Sequence, residues 1–573
     1  MHLVTSAVAG ARSTLLSRYT STSAWLALGL VVGSGCVARF WKIDALGLNS
    51  DEAVYSGQAA AIAAVADLEP FFRIFRAHPL LFQTLLSLGW RLDLGEPFGR
   101  LLSAVFGLGT VVVTYHLGRL LYGRRAGIVA AAFLVVMPYH VIVSRQVLLD
   151  VPMTFFATTS LYCLARFVAG SRPLWLYSAS AFLGLAFLSK ETTLLLYGAV
   201  YAFLVLSADV RLRARSLLVG SAILVTTMAA FPLALALSGG GPTGRNYLAW
   251  QLLRRPNHSW SFYFVEVPKA LGPAVVALAI LSLPLLWRER SWRERLLLCW
   301  ILVPFLFFEL WPVKGFQYLL SIAPAVAVLA ARVLVRWPEL HLARHRHWLS
   351  PACAAAVGVT MVVPSWGGVQ PVTKSHRLAG SGGVPGGREA GRWMAAHTPR
   401  GSSFFAIGPS MANIIEFYGL RRGFGLSVSP NPLARNPAYE PVRNPDLLLR
   451  RGIVRYLVWD AFSAQRSPFF ERKLLRYVDR YEGRVVHTEA VAVETRAGAV
   501  RKPVVVVYAV GHGRTGQLGS TSSAAASEQR ARHVRRLVIY LLYLAPLVAA
   551  AVLLARALRE DRRLRADALS DET

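Results

Sequence analysis

Repeated long apolar windows constrain the fold of this chain more than any other feature. A helix needs about 20 apolar residues to cross the hydrocarbon core of a bilayer, and about a dozen stretches approach that length. They lie near residues 24–41, 98–120, 126–143, 151–169, 174–189, 192–207, 216–237, 270–287, 296–312, 317–335, 349–364 and 535–556. Of the 573 residues, 54% are hydrophobic and only 16% are charged, which is too apolar for a soluble domain. The sequence therefore predicts an all-α polytopic membrane protein with about 12 transmembrane helices.

The basic residues indicate how the chain is oriented. The net charge of +31 is spread over short connections between the apolar windows, which is typical of the cytoplasmic side of a membrane protein and argues against nucleic-acid binding. With the N-terminus in the cytoplasm, these clusters all fall on the inner side: they lie at 119–125, 166–172, 211–215, 288–295, 336–346 and 556–565. One cluster departs from the rule, because Arg530, Arg532, Arg535 and Arg536 precede the last window on the predicted outer side.

Hydropathy divides the chain into four regions. Residues 1–365 are predicted to form the membrane core, with a first outer loop at 42–97. From 366 to 510, Gly, Pro and polar residues replace the apolar windows, and alternating helical and β-rich runs predict a small extracytoplasmic α/β domain. Residues 511–533 have the Gly- and Ser-rich composition of a flexible linker. Residues 534–573 predict a final transmembrane helix and a basic cytoplasmic tail.

Carboxylates gather at the predicted outer face. The segment 79–92 is too short and polar for a span, so we predict an amphipathic helix on the outer surface. Carboxylates beside membrane segments are costly, which makes Asp51, Glu52 and Asp150 candidates for catalysis. Asp51 can act as a general base toward a hydroxyl, or it can bind a divalent metal together with Asp150.

A structural interpretation competes for two of these carboxylates. Asp51 stands just before a helix-like run, where an Asp side chain commonly caps the free amides of the first turn. Asp150 comes shortly before Pro152 at another predicted helix start. The sequence leaves both interpretations open.

Three cations lie where the orientation rule disfavours them. Arg145, Lys190 and Lys314 are at the ends of predicted outer connections. An anion on the outer side, such as a phosphate, would retain them, since Arg and Lys stabilise a leaving phosphate or pyrophosphate. Snorkelling of the charged group toward the interface is the alternative for each.

Five further side chains are candidates for contacts with the substrate. Tyr318 lies in the same predicted outer connection as Lys314, and an interfacial aromatic is the alternative for it. The candidates for substrate binding in the outer connections are Tyr55, His78, Glu191 and His258. For Tyr55 the alternative is again an interfacial aromatic, and for His78 it is a surface or capping histidine.

The order of these residues resembles a known superfamily. Its landmarks here are Asp51-Glu52 with Tyr55, His78-Pro79-Leu80, Ser144-Arg145 with Leu148-Leu149-Asp150, Ser189-Lys190-Glu191, and Lys314 through Leu320. Their order, spacing and shared outer face are similar to those of the dolichyl-phosphate-mannose protein mannosyltransferase and lipid A aminoarabinose transferase superfamily. The resemblance covers residues 25–340 and implies the C-type glycosyltransferase fold.

The resemblance also implies roles for individual residues. Asp51 would be the catalytic base or lie at the active centre, with a metal role shared with Asp150, while Lys190 and Tyr318 would contact the donor phosphate. Two positions depart from the family pattern. Leu80 replaces the second proline of the usual His/Lys-Pro-Pro, and Gln317 stands where a cation is frequent.

We therefore predict a glycosyltransferase of a prokaryotic cytoplasmic membrane, with its active site on the extracytoplasmic face. It would transfer mannose or a related hexose or pentose from a polyprenyl-phosphate donor to a hydroxyl of a protein, lipid or glycan acceptor, with a divalent metal as candidate cofactor. Membrane lipids would surround it. The competing hypotheses are a transporter or flippase of a lipid-linked or anionic substrate, and a membrane-anchored binding protein whose outer domain does the work.

Overall fold

The computed structural model describes most of the chain. The described residues are 26–207, 209–210, 212–237, 250–251, 254, 256–284, 289, 291–341, 349–370, 383–495, 498–511 and 525–570. Outside them lie parts of the predicted connections, at 211, 238–249, 285–288, 290 and 342–348, and residues 512–524 of the predicted linker.

The part of the chain before residue 370 is helical. Its helices are α1 (Leu26–Phe40), α2 (Ser50–Ala63), α3 (Leu81–Arg91), α4 (Pro97–Tyr122), α5 (Arg124–Val136), α6 (Pro138–Val143), α7 (Asp150–Gly170), α8 (Pro173–Ser189), α9 (Leu194–Leu206), α10 (Ala214–Leu237), α11 (Phe262–Leu271), α12 (Pro273–Leu281), α13 (Trp292–Leu310), α14 (Ala323–His341) and α15 (Leu349–Val369). Short 3-10 helices at Glu191–Thr193 and Phe316–Ile322 precede α9 and α14.

Several of these helices can span a membrane. Among the described residues, six segments are long and apolar enough. Three are α4, α7 and α10, a fourth is Gln317–Arg336, which covers most of α14, and the last two lie within α15 and within the helix that begins at residue 525. The bent pair α11 and α12 would make a seventh, with a 103° bend next to Gly272, whose φ of 91° suits glycine. The chain is thus a multi-pass membrane protein. Among the described residues these segments are fewer than the predicted dozen, in part because Pro138 breaks the window 126–143 into α5 and α6.

The region from residue 383 contains a five-stranded sheet with helices. Its elements are α16 (Gly387–His397), β1 (Ser403–Ala406), α17 (Pro409–Gly419), β2 (Arg422–Gly425), α18 (Pro445–Arg450), β3 (Val454–Asp460), α19 (Ala461–Arg466), α20 (Pro468–Arg480), β4 (Arg484–Thr495) and β5 (Gly498–Ala509). The strand order is β2-β1-β3-β5-β4, with parallel pairing on either side of β1 and antiparallel pairing on either side of β5. The helix α21 (Ala525–Ser570) follows and starts before the predicted boundary at 534.

The α/β domain shares its core with the first outer loop. Leu48, Val54 and Phe72 of the loop pack in one buried cluster with Ile414 of α17 and Val505 of β5. Because burial of apolar surface is the main stabilising contribution, this shared core fixes α2 against the domain.

Polar contacts reinforce the same junction. The Arg388 guanidinium of α16 lies 2.9 Å from the Asp44 carboxylate and 3.4 Å from that of Glu96. The Tyr418 hydroxyl accepts a hydrogen bond of 2.8 Å from the Leu48 amide and donates one to Glu96. The start of α2 is therefore held by the domain as well as by the membrane helices.

The last helix connects both ends of the helical core. Near its start, Arg536 pairs with Glu69 of the first outer loop at 2.8 Å. Near its end, Asp561 pairs with Arg166 and Arg172 at the α7–α8 connection. The basic cluster that departs from the orientation rule thus lies beside the acidic first outer loop, which gives it a structural partner.

Helix α3 corresponds to the predicted amphipathic segment, but it does not lie on an open surface. Its buried face packs against neighbouring helices, including α2 and α21. The Ser87 hydroxyl lies 2.7 Å from the Tyr540 hydroxyl, and the Arg91 guanidinium lies 4.4 Å from the centre of the Tyr540 ring. Two polar residues of this segment, Gln83 and Arg91, make it unlike a membrane span, and both contact neighbouring helices: Gln83 donates to Gln58 of α2, and Arg91 lies over Tyr540.

Candidate active site

Asp51 lies in the first turn of α2, and its carboxylate does not take part in capping that helix. Asn49 is the N-cap residue: its side-chain oxygen accepts hydrogen bonds from the amides of Asp51 at 2.9 Å and Glu52 at 3.0 Å. The interpretation of Asp51 as the N-cap is therefore wrong. Asp51 is exposed, and among the described residues its carboxylate has no hydrogen-bond or ion-pair partner. It is available to an incoming substrate.

Glu52, the next residue, is fully committed to structural contacts. It is completely buried, and its carboxylate contacts the Arg100 guanidinium at 2.8 and 2.9 Å. It also accepts hydrogen bonds from the amides of Asn49 at 2.9 Å and Val147 at 3.0 Å. This geometry ties α2 to α4 and to the α6–α7 connection, so it supports a positioning role for Glu52 in place of the predicted catalytic one.

A buried ion pair joins two membrane helices close to Asp51. Asp150 is the first residue of α7, and Lys190 directly follows the last residue of α8. The Lys190 ammonium lies 2.7 Å from the Asp150 carboxylate, and both side chains are at least 90% buried. The same ammonium lies 5.1 Å from the centre of the Tyr318 ring. Asp150 does not cap α7 with its side chain; its carboxylate faces Lys190.

A hydrogen-bonded histidine and glutamate lie on the other side of the cluster. His78 Nδ1 lies 2.8 Å from the Glu191 carboxylate, and both side chains are mostly buried. Tyr55, one turn after Asp51 on α2, meets the His78 ring edge-on with centroids 6.1 Å apart. His78, Lys190 and Asp150 all interact electrostatically with Asp51. The structure therefore brings together seven of the residues that the sequence predicts: Asp51, Tyr55, His78, Asp150, Lys190, Glu191 and Tyr318.

The electrostatics of the cluster suit a base beside a fixed cation. Asp51 is solvent-accessible, but protein surrounds it on enough sides that desolvation raises the pKa of its carboxyl above the usual value. His78, Lys190 and Arg76 oppose this shift, and Asp150 adds to it. Burial alone would lower the pKa of Lys190, but Asp150 and Tyr318 outweigh burial and raise that pKa, so the ammonium stays protonated.

Three predicted residues, Arg145, Lys314 and His258, lie outside this cluster. The Arg145 guanidinium is fully buried and donates to the carbonyls of Ala38, Arg39 and Trp41 at the end of α1 at 2.7–3.0 Å. It caps the carboxyl end of a helix, where a cation is favourable. This contact gives the cation a structural reason to lie on the predicted outer side.

Lys314 and His258 are the other two predicted residues outside the cluster, and they lie close to each other. The Lys314 ammonium is buried, lies 3.3 Å from the Glu309 carboxylate, and lies over the rings of Trp260 and Tyr263 at 5.3 and 5.2 Å. His258 is exposed and stacks on Phe262 with centroids 4.1 Å apart. Lys314 is thus enclosed by an acid and two rings, and His258 lies on the surface beside them.

Three residues beside the site were not predicted from the sequence. They are Asn49, which caps α2, Arg100, which pairs with Glu52, and Arg76, whose charge acts on Asp51. The cap was detectable, because Asn49 stands three residues before Glu52 in the pattern of a capping box. Arg76 precedes His78 by two residues, but it looks like any surface cation until the fold places its charge near Asp51.

The chain is similar to known proteins in part of its sequence and in its fold. Residues 77–234 match the model of the dolichyl-phosphate-mannose-protein mannosyltransferase family. No curated protein matches the sequence significantly. Among solved structures, ArnT from Cupriavidus metallidurans in the apo state is 16% identical with a TM-score of 0.62, over 85% of this chain and 98% of that one.

Two further solved structures are also similar in fold over most of this chain, at low sequence identity. ArnT from Cupriavidus metallidurans bound to undecaprenyl phosphate is 15% identical with a TM-score of 0.57, over 86% of this chain and 99% of that one. The oligosaccharyltransferase of Archaeoglobus fulgidus in complex with Zn and sulfate is 13% identical with a TM-score of 0.54, over 83% of this chain and 73% of that one.

The predicted resemblance is confirmed. The family model covers part of the membrane core, and the structural matches extend over most of the chain. At these identities the structural matches establish the fold shared with ArnT and the oligosaccharyltransferase.

Proposed function

We propose that this protein is a glycosyltransferase that moves a sugar from a polyprenyl-phosphate donor to an acceptor hydroxyl at the outer face of a prokaryotic cytoplasmic membrane. The observation that carries the proposal is the unpartnered Asp51 carboxylate beside the buried Lys190–Asp150 pair. A donor of this kind is supported by the fold shared with ArnT, which has been crystallised with undecaprenyl phosphate.

The geometry suggests how the reaction would proceed. The Asp51 carboxylate would take the proton of the acceptor hydroxyl as its oxygen bonds to the anomeric carbon of the donor sugar. The bond from that carbon to the phosphate oxygen would break, and its electron pair would leave with the phosphate. The Lys190 ammonium would stabilise this developing charge, since a fixed cation stabilises an anion more strongly in a site that excludes water than in bulk water.

The remaining residues would position the reacting groups. Asp150 would hold Lys190 in place through their 2.7 Å contact, and Tyr318 would pack against the same ammonium. His78, Tyr55 and Glu191 would contact the sugar, since an imidazole nitrogen, a phenol hydroxyl and a carboxylate can each hydrogen-bond to sugar hydroxyls. Arg145 and Lys314 are not assigned to the phosphate site, because Arg145 donates to carbonyls at the end of α1 and Lys314 pairs with Glu309.

The experiment that tests the proposal directly is a transfer assay with purified protein. The protein in detergent is incubated with radiolabelled polyprenyl-phosphate sugars, including mannose, other hexoses and a pentose, and with membrane extract as the source of acceptor. We expect one donor to transfer label to an acceptor fraction. Failure of every donor, together with no binding of polyprenyl phosphate, would contradict the proposal and favour a transporter.

The pH dependence of transfer provides a second test. Only the ionised form of Asp51 can accept a proton, so kcat/KM is expected to fall as the pH decreases through its pKa. Because desolvation raises that pKa, the fall should begin above the pH at which an ordinary Asp, with a pKa of about 3.9, protonates. A profile with no acidic limb down to that value would contradict the role of Asp51.

A divalent metal does not enter the proposed reaction. Asp150, the predicted partner of Asp51 in metal binding, has its carboxylate paired with the Lys190 ammonium, which would repel a divalent cation. Among the described residues, no three His, Cys, Asp or Glu side chains are grouped as metal ligands. The residues present therefore do not fit the metal site that the sequence suggested.

Chelation tests this conclusion. Protein dialysed against EDTA is expected to keep at least about half of its transfer rate, because the cation at the site is Lys190 and it is covalently part of the chain. Loss of activity that is restored by added Zn²⁺, Mg²⁺ or Mn²⁺, at constant protein recovery, would show that a metal is required.

The side of the membrane on which the site lies can be tested by thiol labelling. In a background with the four cysteines replaced by alanine, Asp67→Cys in the first outer loop is expected to react with an impermeant reagent in intact cells or spheroplasts, whereas Arg563→Cys near the end of α21 is expected to react only after lysis. Both side chains are exposed. The reverse pattern would place the site on the cytoplasmic side.

A further inference from the structure

A cavity of about 280 Å³ lies between the first outer loop and the α/β domain. Residues 70–76 of the loop form one wall, and α17, β2 and the segment 438–440 form the others. None of the predicted catalytic or substrate-binding residues lines it. Its volume is close to the lower limit of small-molecule sites, about 300 Å³, which suits a sugar residue.

One cation in this cavity lacks an acidic partner. The Arg76 guanidinium lies 4.7 Å from the centre of the Tyr439 ring, and among the described residues no carboxylate is within ion-pair distance of it. The two other arginines of the cavity share one acid, since Arg73 is 2.8 Å and Arg422 is 3.8 Å from Glu440. Arg76 is half-buried and stacked, so its orientation is fixed in advance of any ligand.

The second carboxylate of the cavity, Glu416, does not neutralise Arg76. It accepts a hydrogen bond of 3.0 Å from the Gly423 amide. Burial raises the pKa of Glu416 to about 7, against the opposing effects of that hydrogen bond, Arg76 and Arg422. Near neutral pH this side chain is about half protonated. The cavity therefore has an excess of positive charge.

The walls also offer surfaces for a sugar ring. Phe71, Phe75 and Phe424 line the cavity together with Tyr439. Aromatic walls combined with a few oriented polar groups are the usual composition of a small-molecule site. An arginine without an acidic partner suits a carboxylate or a phosphate group, because two N–H groups along one edge of its planar guanidinium can bind the two oxygens of such a group.

The cavity is coupled directly to the candidate active site. The Asn413 amide donates to the Ser50 hydroxyl at 3.0 Å and to the Tyr439 hydroxyl at 3.1 Å, so one side chain connects the cavity wall to the residue before Asp51. The charge of Arg76 also opposes the rise in the pKa of both Asp51 and Glu416, so this arginine acts electrostatically on the active site and on the cavity.

We propose that this cavity binds the acceptor and that the acceptor is a saccharide bearing a carboxylate or phosphate, held by Arg76 against the aromatic wall. This inference rests on the proposed glycosyltransferase function, and it adds the class of acceptor and the place where it binds. A hydroxyl of the bound saccharide, or of the next sugar unit in the chain, would then reach Asp51.

The test is a binding experiment on the full-length protein in detergent, without donor. Ligand-observed NMR measures the affinity of three probes: methyl β-glucuronide, glucose 6-phosphate and neutral methyl β-glucoside. We expect at least one anionic probe to bind about tenfold more tightly than the glucoside, as one charge-assisted hydrogen-bond pair provides. The preferred anionic probe distinguishes a uronic acid from a phosphorylated sugar.

Variants locate the binding site. Arg76→Met should lower the affinity for the anionic probe to that for the glucoside, whereas Arg73→Met, which removes an exposed and paired arginine from the same loop, should change it by about twofold or less. Arg76→Lys keeps the positive charge but loses the two parallel N–H donors of the guanidinium, so its affinity for the anionic probe should lie between those of wild type and Arg76→Met. The melting temperature of each variant confirms that it is folded.

The other outcomes overturn the proposal. Equal affinity for the three probes, absence of binding by all of them, or retention of anionic binding in Arg76→Met would each exclude an anionic saccharide at this site. Tighter binding of an acidic hexapeptide that displaces the glucuronide would make the acceptor a peptide. Polyprenyl-phosphate binding, measured in parallel, separates this test from the proposed function: its absence beside normal glucuronide binding would overturn the glycosyltransferase and leave the cavity as a saccharide site.

Discussion

Replacement of Asp51 by asparagine is expected to lower the rate of sugar transfer by a factor of about 10² to 10⁴, the usual contribution of a general base. Asparagine has the same shape but cannot accept the proton of the acceptor hydroxyl. The side chain makes no contact that stabilises the described fold, since Asn49 caps the helix, so protein yield and melting temperature should stay unchanged. The measurement is kcat for transfer from a polyprenyl-phosphate sugar, at saturating donor.

A matched control distinguishes catalysis from a general loss of negative charge. Asp67 is another exposed carboxylate in the first outer loop, and Asp67→Asn should transfer sugar at the wild-type rate. Normal turnover in Asp51→Asn would remove Asp51 from the reaction. Loss of folded protein in that variant would instead show a structural role that its contacts do not indicate.

Replacement of Lys190 by methionine is expected to have two separate effects. The first is a loss of donor binding, because the fixed cation beside the leaving phosphate is removed. The second is a loss of stability of about 3–5 kcal/mol, because Asp150 remains as a buried carboxylate without its partner at 2.7 Å. Sequence reasoning alone predicts a stable Met variant, since removing a charge from a helix end favours insertion. The contact with Asp150 reverses that expectation.

A double variant separates the two effects. In Lys190→Met with Asp150→Asn, no uncompensated charge is left in the interior, so most of the lost stability should return while binding of the polyprenyl-phosphate donor stays weak. Lys190→Arg keeps the charge with a different shape and should lie between wild type and Met. If the double variant binds the donor with wild-type affinity, Lys190 is not part of the phosphate site.

Wild type, Lys190→Met, Asp150→Asn and the double variant form the four arms of a double-mutant cycle, and each is measured in two ways. Thermal unfolding in detergent reports stability, and titration with a fluorescent polyprenyl phosphate reports donor affinity. A Lys190→Met protein that is as stable as wild type would show that Asp150 finds another partner or is protonated. That result would weaken the argument against a metal at Asp150 and would call for repeating the chelation experiment in the variant.

The sequence by itself determines the class of this protein because its evidence is local. Apolar windows must become helices where no water can satisfy the backbone, so a multi-pass helical core follows from composition and length alone. The ordered landmarks from Asp51 to Tyr318 also predict the resemblance that the comparisons confirm. In the α/β region, periodicity predicts a helix at 387–398, and the structure has one at Gly387–His397.

The division of labour among the polar residues is decided only by the tertiary structure. Asp51 and Glu52 are adjacent and chemically alike, yet Arg100, from a different helix, fixes Glu52 in the interior while Asp51 is left open. Arg145 and Lys190 are both cations at predicted outer ends, but one meets the carbonyls at the end of α1 and the other meets Asp150. Each role depends on a partner far away in the chain, and no local pattern specifies which distant residue will come within about 3 Å of a given side chain. The cavity around Arg76 has the same origin, because its walls come from segments that are more than three hundred residues apart and meet only when the domain packs on the first outer loop.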